Sequence, residues 1–134
     1  MSACVLDTDV VIAALDRGDA HHQAAVRAIT ALADQQVPML LSLINYAEAL
    51  VRPAEDDRLL RTAVAAMDTL GIRPVPPTAS IARRAARLRA ANVSLAEGFA
   101  LATAEAHHAS MATFDRRVQR AAAREGVPLA AQME

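Results

Sequence analysis

Carboxylates that follow short apolar runs are the residues of this chain whose type and spacing could do chemistry. The apolar run at residues 5–6 ends at Asp7, with Asp9 two residues later, and the run at residues 110–114 ends at Asp115. Short continuous apolar runs are typical of strands buried in a parallel sheet, and such sheets bind ligands beyond the carboxyl ends of their strands. The pattern therefore places Asp7 and Asp115 where a reaction could occur.

Two further acids lie in predicted helices and could join them. Glu48 lies in the helix that follows the second apolar run, and Glu97 is the third residue after Ser94. These acids also have purely structural interpretations. Asp115 could be an N-cap, and Ser94 and Glu97 fit a capping box. Glu48 could be a solvated helix residue, and Asp9 could neutralise a helix dipole. Together, however, carboxylates at one sheet edge repel each other unless cations bind them, and hard oxygen ligands favour Mg²⁺ or Mn²⁺.

The elements that must position these acids alternate between strand and helix. Besides the first strand, apolar runs predict strands at 37–41, 72–75 and 110–114, and an edge strand at 127–130. This alternation predicts an α/β fold, with one three-layer α/β/α domain over residues 1–134 and a four- to five-stranded, mainly parallel sheet. The intervening helices are predicted at 10–16, 20–36, 43–51, 54–70, 78–91, from 94 onward, and after 115 to about 124.

Length and composition limit the class of protein. A chain of 134 residues fits one domain, and a hydrophobic fraction of 54% with only 2% aromatic residues predicts a core of Ala, Leu, Val and Ile. No apolar run approaches the roughly 18 residues that span a bilayer, and no leader precedes the first strand, so we expect a cytoplasmic protein. Cys4 is the only cysteine, which excludes an internal disulfide.

The net charge of −1 conceals an asymmetry between the two halves of the chain. Residues 1–72 contain five Arg and ten acids, a net of −5, whereas residues 73–134 contain nine Arg and five acids, a net of +4. The chain contains no Lys, so all of its basic residues other than His are Arg. The overall balance gives no strong argument for nucleic acid binding, but it leaves room for a basic face on the second half.

Four segments, taken in order, resemble PIN-domain ribonucleases, and most of all the VapC-type toxins of bacterial VapBC toxin–antitoxin pairs. Each segment alone is a weak signal, but the resemblance covers essentially the whole chain, and the segments occur in the order and with the spacing of that family. They are Val5-Leu6-Asp7-Thr8-Asp9, Ser42 with Ala47-Glu48, Leu95 to Ala104 with Glu97, and Thr113-Phe114-Asp115-Arg116-Arg117.

The resemblance implies a metal-dependent endoribonuclease that hydrolyses phosphodiester bonds in structured RNA, either tRNA or rRNA. Asp7, Glu48, Glu97 and Asp115 would be the catalytic residues and would bind Mg²⁺ or Mn²⁺, with Asp9 as an auxiliary ligand. One or two ions would activate water and neutralise charge on the scissile phosphate. The third acid of the family is usually Asp. The extra methylene of Glu97 moves its carboxylate outward and weakens the expectation of metal occupancy at that position.

The resemblance also suggests which residues contact RNA. Thr8 and Thr113 would supply supporting hydroxyls at the RNA-binding edge. Arg116 and Arg117 directly follow the predicted site, and the guanidinium fork suits phosphate. A second group of arginines lies on the helix predicted at 78–91, where a solvated helix face explains it at least as well. Since aromatic residues are few, structured RNA is a better substrate for this chain than a long single strand.

Partners follow from the resemblance as well. VapC-type toxins form homodimers and are neutralised by a small VapB-type antitoxin whose tail covers the acidic site. Both contacts require an exposed apolar surface. Candidates for it are Tyr46, Leu50, Leu59 and Leu60, although core packing explains these side chains equally well.

Two other functions remain open at this point. Asp7 and Asp9 also match the opening motif of haloacid-dehalogenase-type phosphatases, as nucleophile and acid, but those enzymes normally require a later Lys, which this chain lacks. A receiver-type phosphoacceptor domain fails for the same reason. The more serious alternative is a catalytically weakened PIN fold, carrying Glu97 in place of Asp, that binds RNA or protein without cutting. Metal-dependent cleavage would separate it from the nuclease.

Overall fold

Four short strands form one parallel sheet at the centre of the protein, whose computed structural model describes residues 2–133. The strand order is β3-β2-β1-β4, so the first strand lies in the interior and pairs with both β2 and β4. The predicted α/β class with a parallel sheet is confirmed. The strands are β1 (Cys4–Leu6), β2 (Met39–Ser42), β3 (Ile72–Val75) and β4 (Ser110–Ala112).

Seven α-helices connect and cover these strands within the described residues. They are α1 (Thr8–Leu15), α2 (His22–Asp34), α3 (Leu43–Leu50), α4 (Asp57–Thr69), α5 (Ala79–Leu88), α6 (Leu95–Ala106) and α7 (Arg116–Arg124), with 3-10 turns at Pro53–Glu55, Arg89–Ala91 and Ala131–Met133. In the part of the chain that the structure describes, no helix has both the length and the apolar character needed to cross a membrane.

The sheet separates two apolar cores, as expected when successive side chains of a strand point to opposite faces. Val5, Leu40 and Met111 face the core formed with α5, α6 and α7. Leu6 and Leu41 face the opposite core, which α1 to α4 complete. Helices therefore cover both faces, which is the predicted three-layer arrangement.

The predicted edge strand at residues 127–130 is wrong. Only Leu129 forms a bridge, with Met111 of β4. Two hydrogen bonds support it, one from Met111 N–H to the Pro128 carbonyl and one from Ala130 N–H to the Met111 carbonyl, each of 2.9 Å. Pro128 has no N–H to donate, and the chain then turns into the 3-10 segment Ala131–Met133, so the pairing ends after one bridge.

Polar side chains cap the starts of most helices, but not the start of α2. The side chains of Ser42, Thr78 and Ser94 accept backbone N–H groups at the starts of α3, α5 and α6. At α2, predicted from residue 20, Asp19 accepts the N–H of His21 in the preceding turn, and the helix begins at His22. These caps matter for the site, because they fix where each helix begins above the carboxyl edge of the sheet.

Candidate active site

Asp7 and Asp9 connect the end of β1 to the residues that follow β4 through hydrogen bonds. Asp7 follows β1 directly and is 3% exposed. One of its oxygens accepts the Thr8 N–H at 2.9 Å, and the other accepts the Thr113 hydroxyl at 2.8 Å. Asp9, one turn into α1, accepts the Phe114 N–H at 3.0 Å. The sequence predicts that the segments around residues 7 and 115 lie at one edge of the sheet. These hydrogen bonds join the two segments there.

Burial makes this pair electrostatically unfavourable. Burial, and after it the nearby charge of Asp9, raise the pKa of Asp7 to about 7, although the hydrogen bonds from Thr113 and Thr8 oppose the shift. Glu97 adds a smaller upward contribution to the pKa of Asp7. Burial also raises the pKa of Asp9, against the hydrogen bond from the Phe114 N–H. A cation binds favourably beside two carboxylates that are shielded from water and accept few hydrogen bonds.

One oxygen of this pair has no partner. The Oδ1 atom of Asp9 is buried and accepts no hydrogen bond within residues 2–133. A buried acceptor without a donor is unfavourable, and an ordered water or an ion usually accounts for it. Together with the hard oxygen donors around it, this atom makes the set chemically suited to Mg²⁺ or Mn²⁺. In the same part of the chain, no three His, Cys, Asp or Glu side chains already converge closely enough to hold an ion.

Glu48 reaches the site through a chain of hydrogen bonds. It accepts the Thr8 hydroxyl at 2.7 Å, and the Thr8 oxygen accepts the amide of Asn45 at 3.0 Å. The same Asn45 amide nitrogen also donates to the Ala96 carbonyl at 3.1 Å. Asn45 thus links α1, α3 and the start of α6, and holds the hydroxyl that orients Glu48.

Asn45 is the residue of the site that sequence reasoning missed. It is fully buried, and its Oδ1 atom has no hydrogen-bond partner among the described residues. A signal was available, because Asn45 lies three residues before Glu48 on the same side of α3, where an amide is unusual among apolar neighbours. Its neighbours Ile44 and Ala49 suggest only core packing.

Glu97 and Asp115 share one guanidinium. Asp115 caps α7, with one oxygen accepting the Arg117 N–H at 2.8 Å and the other accepting the Arg117 Nη2 at 2.9 Å. Glu97 closes the capping box of α6 by accepting the Ser94 N–H at 2.7 Å, and its second oxygen lies 3.4 Å from the same Arg117 Nη2. Partial burial acts to raise the pKa of Asp115, but the hydrogen bonds and charge of Arg117 outweigh it and hold that pKa below its ordinary value.

The predicted residues therefore fall into four groups. Asp7, Asp9 and Asp115 are joined through the Thr113 hydroxyl, which donates to Asp7, lies 3.4 Å from Asp9 and accepts the Asp115 N–H at 3.1 Å. Glu48 and Glu97 flank this group on α3 and α6 and are bonded to other partners. Thr8 and Thr113 are buried, so their hydroxyls hold carboxylates rather than lie on the surface, whereas Arg116 and Arg117 are exposed.

Solved structures with this fold include several toxin complexes. VapBC2 of Rickettsia felis, bound to a DNA fragment from its promoter, aligns with a TM-score of 0.72 at 15% identity, covering 96% of this chain and 97% of that chain. VapC20 of Mycobacterium tuberculosis, a toxin that cleaves the sarcin-ricin loop, aligns with a TM-score of 0.70 at 18% identity over 89% and 95%. FitAcB of Neisseria gonorrhoeae aligns with a TM-score of 0.65 at 22% identity over 96% and 97%. At these identities the likeness concerns the fold.

Sequence comparison gives the family. No curated protein matches the chain significantly. The PIN domain family matches residues 4–124, a range that begins at β1, ends at the last residue of α7 and contains all five acids described above. Since this match extends over most of the chain, the protein belongs to the PIN domain family.

Proposed function

We propose that this protein is a metal-dependent endoribonuclease that hydrolyses phosphodiester bonds in structured RNA and is neutralised by a small antitoxin. The observation that carries the proposal is the buried Asp7–Asp9 pair at the carboxyl edge of the sheet, with one orphaned oxygen and a raised pKa on each acid. Membership of the PIN family and the fold shared with VapC toxins support the reaction class.

Each residue of the site then has a task. Asp7, Asp9 and Asp115 are the carboxylates that would hold the ion. Glu48 from α3, oriented by Thr8, and Glu97 from α6 would complete its shell. A divalent ion bound there supplies the Lewis acidity that phosphodiester hydrolysis needs. No Ser or Cys of the described residues is placed with these acids as a nucleophile, so attack by water is the simplest chemistry.

RNA would approach over the start of α7. Arg116 is exposed directly beside Asp115, where its guanidinium can bind a phosphate near the scissile bond. On α5, Arg84 is less suited, because it forms ion pairs with Glu105 at 2.8 Å and Glu125 at 2.9 Å. Ribosomal RNA is a substrate to test first, because a structural neighbour cleaves the sarcin-ricin loop. Transfer RNA is the other.

The test is cleavage of purified tRNA and of rRNA fragments with Mg²⁺, with Mn²⁺ and with EDTA. We expect discrete cuts that require a divalent ion. Asp7→Asn should abolish them, because it removes a buried carboxylate while keeping a side chain that can still cap α1. Cutting that survives in EDTA, or that persists in the Asp7→Asn protein, would contradict the proposal.

A second function is favoured by one specific observation, the engagement of Glu97 by the Ser94 N–H and by Arg117. If that carboxylate stays bound there, the protein would be a weakened PIN fold that binds RNA or protein without cutting. Two substitutions separate the possibilities. Glu97→Gln keeps an oxygen for the capping box but removes the charge, and Glu97→Asp shortens the side chain. Cleavage that appears only in Glu97→Asp would support the weakened enzyme.

The antitoxin would bind an apolar groove that adjoins Glu48. This groove, of about 540 Å³, lies between α1 and the α3–α4 segment and is lined by Ile12, Leu15, Val51 and Leu59, among others. Of the apolar residues expected at a partner surface, Leu59 lines it and is 56% exposed. Tyr46 and Leu60 line a second hollow beside β3, and Leu50 packs against the core of the α1–α4 face. The toxin–antitoxin complexes among the structural neighbours support such a partner.

The second hollow is where a homodimer contact would fit. It has a volume of about 490 Å³ and is mainly apolar, with Tyr46, Leu60, Val64, Met67 and Pro74 among its lining residues. Sedimentation of the purified protein, with and without the charge-introducing substitution Val64→Glu, tests this. A dimer that the substitution leaves intact would place the contact elsewhere.

A further inference from the structure

Arg117 contacts both acids that come from the C-terminal half of the site. Its Nη2 lies 2.9 Å from Asp115 and 3.4 Å from Glu97. Its Nη1 donates to the carbonyl of Asn92, in the loop before α6, at 3.3 Å. One cation therefore joins the start of α7, the start of α6 and the loop between α5 and α6.

The position of Arg117 is unusual for a structural arginine. It is the second residue of α7, and the positive end of a helix disfavours a cation. Its side chain is 46% exposed, and ion pairs this accessible to water contribute little to stability. The carboxylates of Asp115 and Glu97 offset the helix dipole, so the arginine stays only while these two acids are free to hold it.

We infer that Arg117 is the internal counter-ion of the Asp115–Glu97 half of the site, and that a divalent ion reaches these two carboxylates only when Arg117 leaves them. This inference rests on the proposed function and deepens it by naming how that site is regulated. Arg117 and a metal ion compete for the same oxygens and repel each other, so each lowers the affinity of the site for the other.

An RNA phosphate would bind the Arg117 guanidinium and so remove it from the two carboxylates. A guanidinium released from Asp115 is already beside the site, exposed and able to bind phosphate bidentately. Substrate binding would then free the two carboxylates for the ion at the moment when the scissile bond arrives. In the absence of RNA, Arg117 offsets one of the two negative charges in this half of the site, so Arg117 is a positioning residue that links substrate binding to metal loading.

The test measures Mn²⁺ binding without RNA, by electron paramagnetic resonance of free Mn²⁺, for the wild-type protein, Arg117→Gln, Arg117→Lys and Arg120→Gln. Arg120 lies on the same helix and forms no ion pair within residues 2–133. We expect Arg117→Gln to bind Mn²⁺ about thirtyfold more tightly, the factor expected from removing one unit charge about 4 Å from a divalent ion in water. Arg117→Lys keeps the charge and should resemble the wild type, as should Arg120→Gln.

The outcomes separate this inference from the nuclease itself. A residue with a purely structural role could only weaken Mn²⁺ binding when replaced, so unchanged or weaker binding in Arg117→Gln overturns the inference. Thermal melting of each variant shows whether it folds, and Arg117→Met, which keeps the apolar stem and removes the charge, takes the place of Arg117→Gln if the latter does not fold. Tighter Mn²⁺ binding without any RNA cleavage would uphold the role of Arg117 and contradict the nuclease. Absence of Mn²⁺ binding in every variant would overturn both.

Discussion

Asp7 is held by two hydrogen bonds and is unfavourably charged at the same time. Thr8 and Thr113 donate to its two oxygens, yet burial and the neighbouring Asp9 raise its pKa to about 7. Since the ordinary pKa is 3.8, the folded protein keeps a proton on Asp7 across a pH range in which the unfolded chain has lost it. Without a metal ion, the raised pKa of Asp7 therefore makes the free energy of unfolding fall as the pH rises toward 7.

The sign of this effect gives a prediction for Asp7→Asn. Between pH 4 and 7 the folded state binds more protons than the unfolded state, so the free energy of unfolding should fall as pH rises, by up to about 4 kcal/mol from this group. Asp7→Asn removes the titration, keeps an N-cap, and should melt at a higher temperature than the wild type at pH 8 in EDTA. Melting curves from pH 4 to 8 measure this. Asp34→Asn, at the exposed end of α2, is the control, and a lower melting temperature for Asp7→Asn would contradict the argument.

The residues of the site differ in how far the sequence could predict them. Asp7 and Asp115 follow from a local pattern, an apolar run that ends in an acid. The contacts of Asn45 and Arg117 could not be predicted this way, because their partners lie 37, 51 and 20 residues away in the chain and depend on how helices pack. Sequence patterns specify which elements carry a polar residue, but tertiary packing decides which polar residues meet.

Close packing of α5 on α6 fixes the position of Glu97. Gly98, the next residue, is buried, and a Cβ atom there would lie 2.9 Å from the carbonyl oxygen of Ala85. Backbone at this distance cannot move aside as a flexible side chain can. The alanine-rich faces of both helices make this approach possible, which explains how a core with few aromatic residues reaches dense packing.

We therefore predict that Gly98→Ala destabilises the protein. Alanine gains about 1 kcal/mol over glycine in helix propensity, but the contact with Ala85 should cost more, about 1–3 kcal/mol, for a net loss of about 1 kcal/mol. Urea unfolding measures the difference. Gly18→Ala is the matched control, because its Cβ would meet only the Asp16 side chain at 3.3 Å, and we expect a change within about 0.5 kcal/mol. A more stable Gly98→Ala protein would show that α5 and α6 separate easily.

The positions of the four strands were predicted better than the residues at which the strands end. All four strands lie where apolar runs placed them, because buried parallel strands need apolar residues on both faces. β4 ends at Ala112 instead of Phe114, since Thr113 and Phe114 leave the ladder to donate to Asp7 and Asp9. The predicted strand at 127–130 failed because Pro128 limits pairing to a single bridge. The hydrogen bonds to the two acids thus shorten β4, and Pro128 prevents a fifth strand.

Across the whole molecule, positive charge is concentrated in the second half of the chain, but only part of it is available to RNA. Ion pairs engage Arg84 on α5 and Arg117 on α7. Arg116 forms no ion pair within the described residues and lies next to the acids. Because ion pairs already engage part of this charge, RNA would be bound through few phosphate contacts beside the acidic site, so its affinity should depend only moderately on salt.

Binding of tRNA in EDTA at several salt concentrations tests this. Arg116→Gln should weaken binding at every sequence and reduce the slope of log affinity against log salt by about 1, the value for one lost phosphate contact. Arg27→Gln, on the exposed face of α2 in the acidic half, should change neither quantity. An unchanged slope for Arg116→Gln would mean that RNA does not cross the start of α7.

The topology of the sheet also determines when the site exists during synthesis. Asp7 is made 106 positions before Thr113, whose hydroxyl holds it and which directly follows β4, the strand that pairs with β1. A chain still emerging from the ribosome therefore lacks the complete acidic centre until β4 and the residues after it have folded into place. The proposed nuclease activity would in this way be withheld from every unfinished copy, and the proposed antitoxin could bind in the interval before β4 docks.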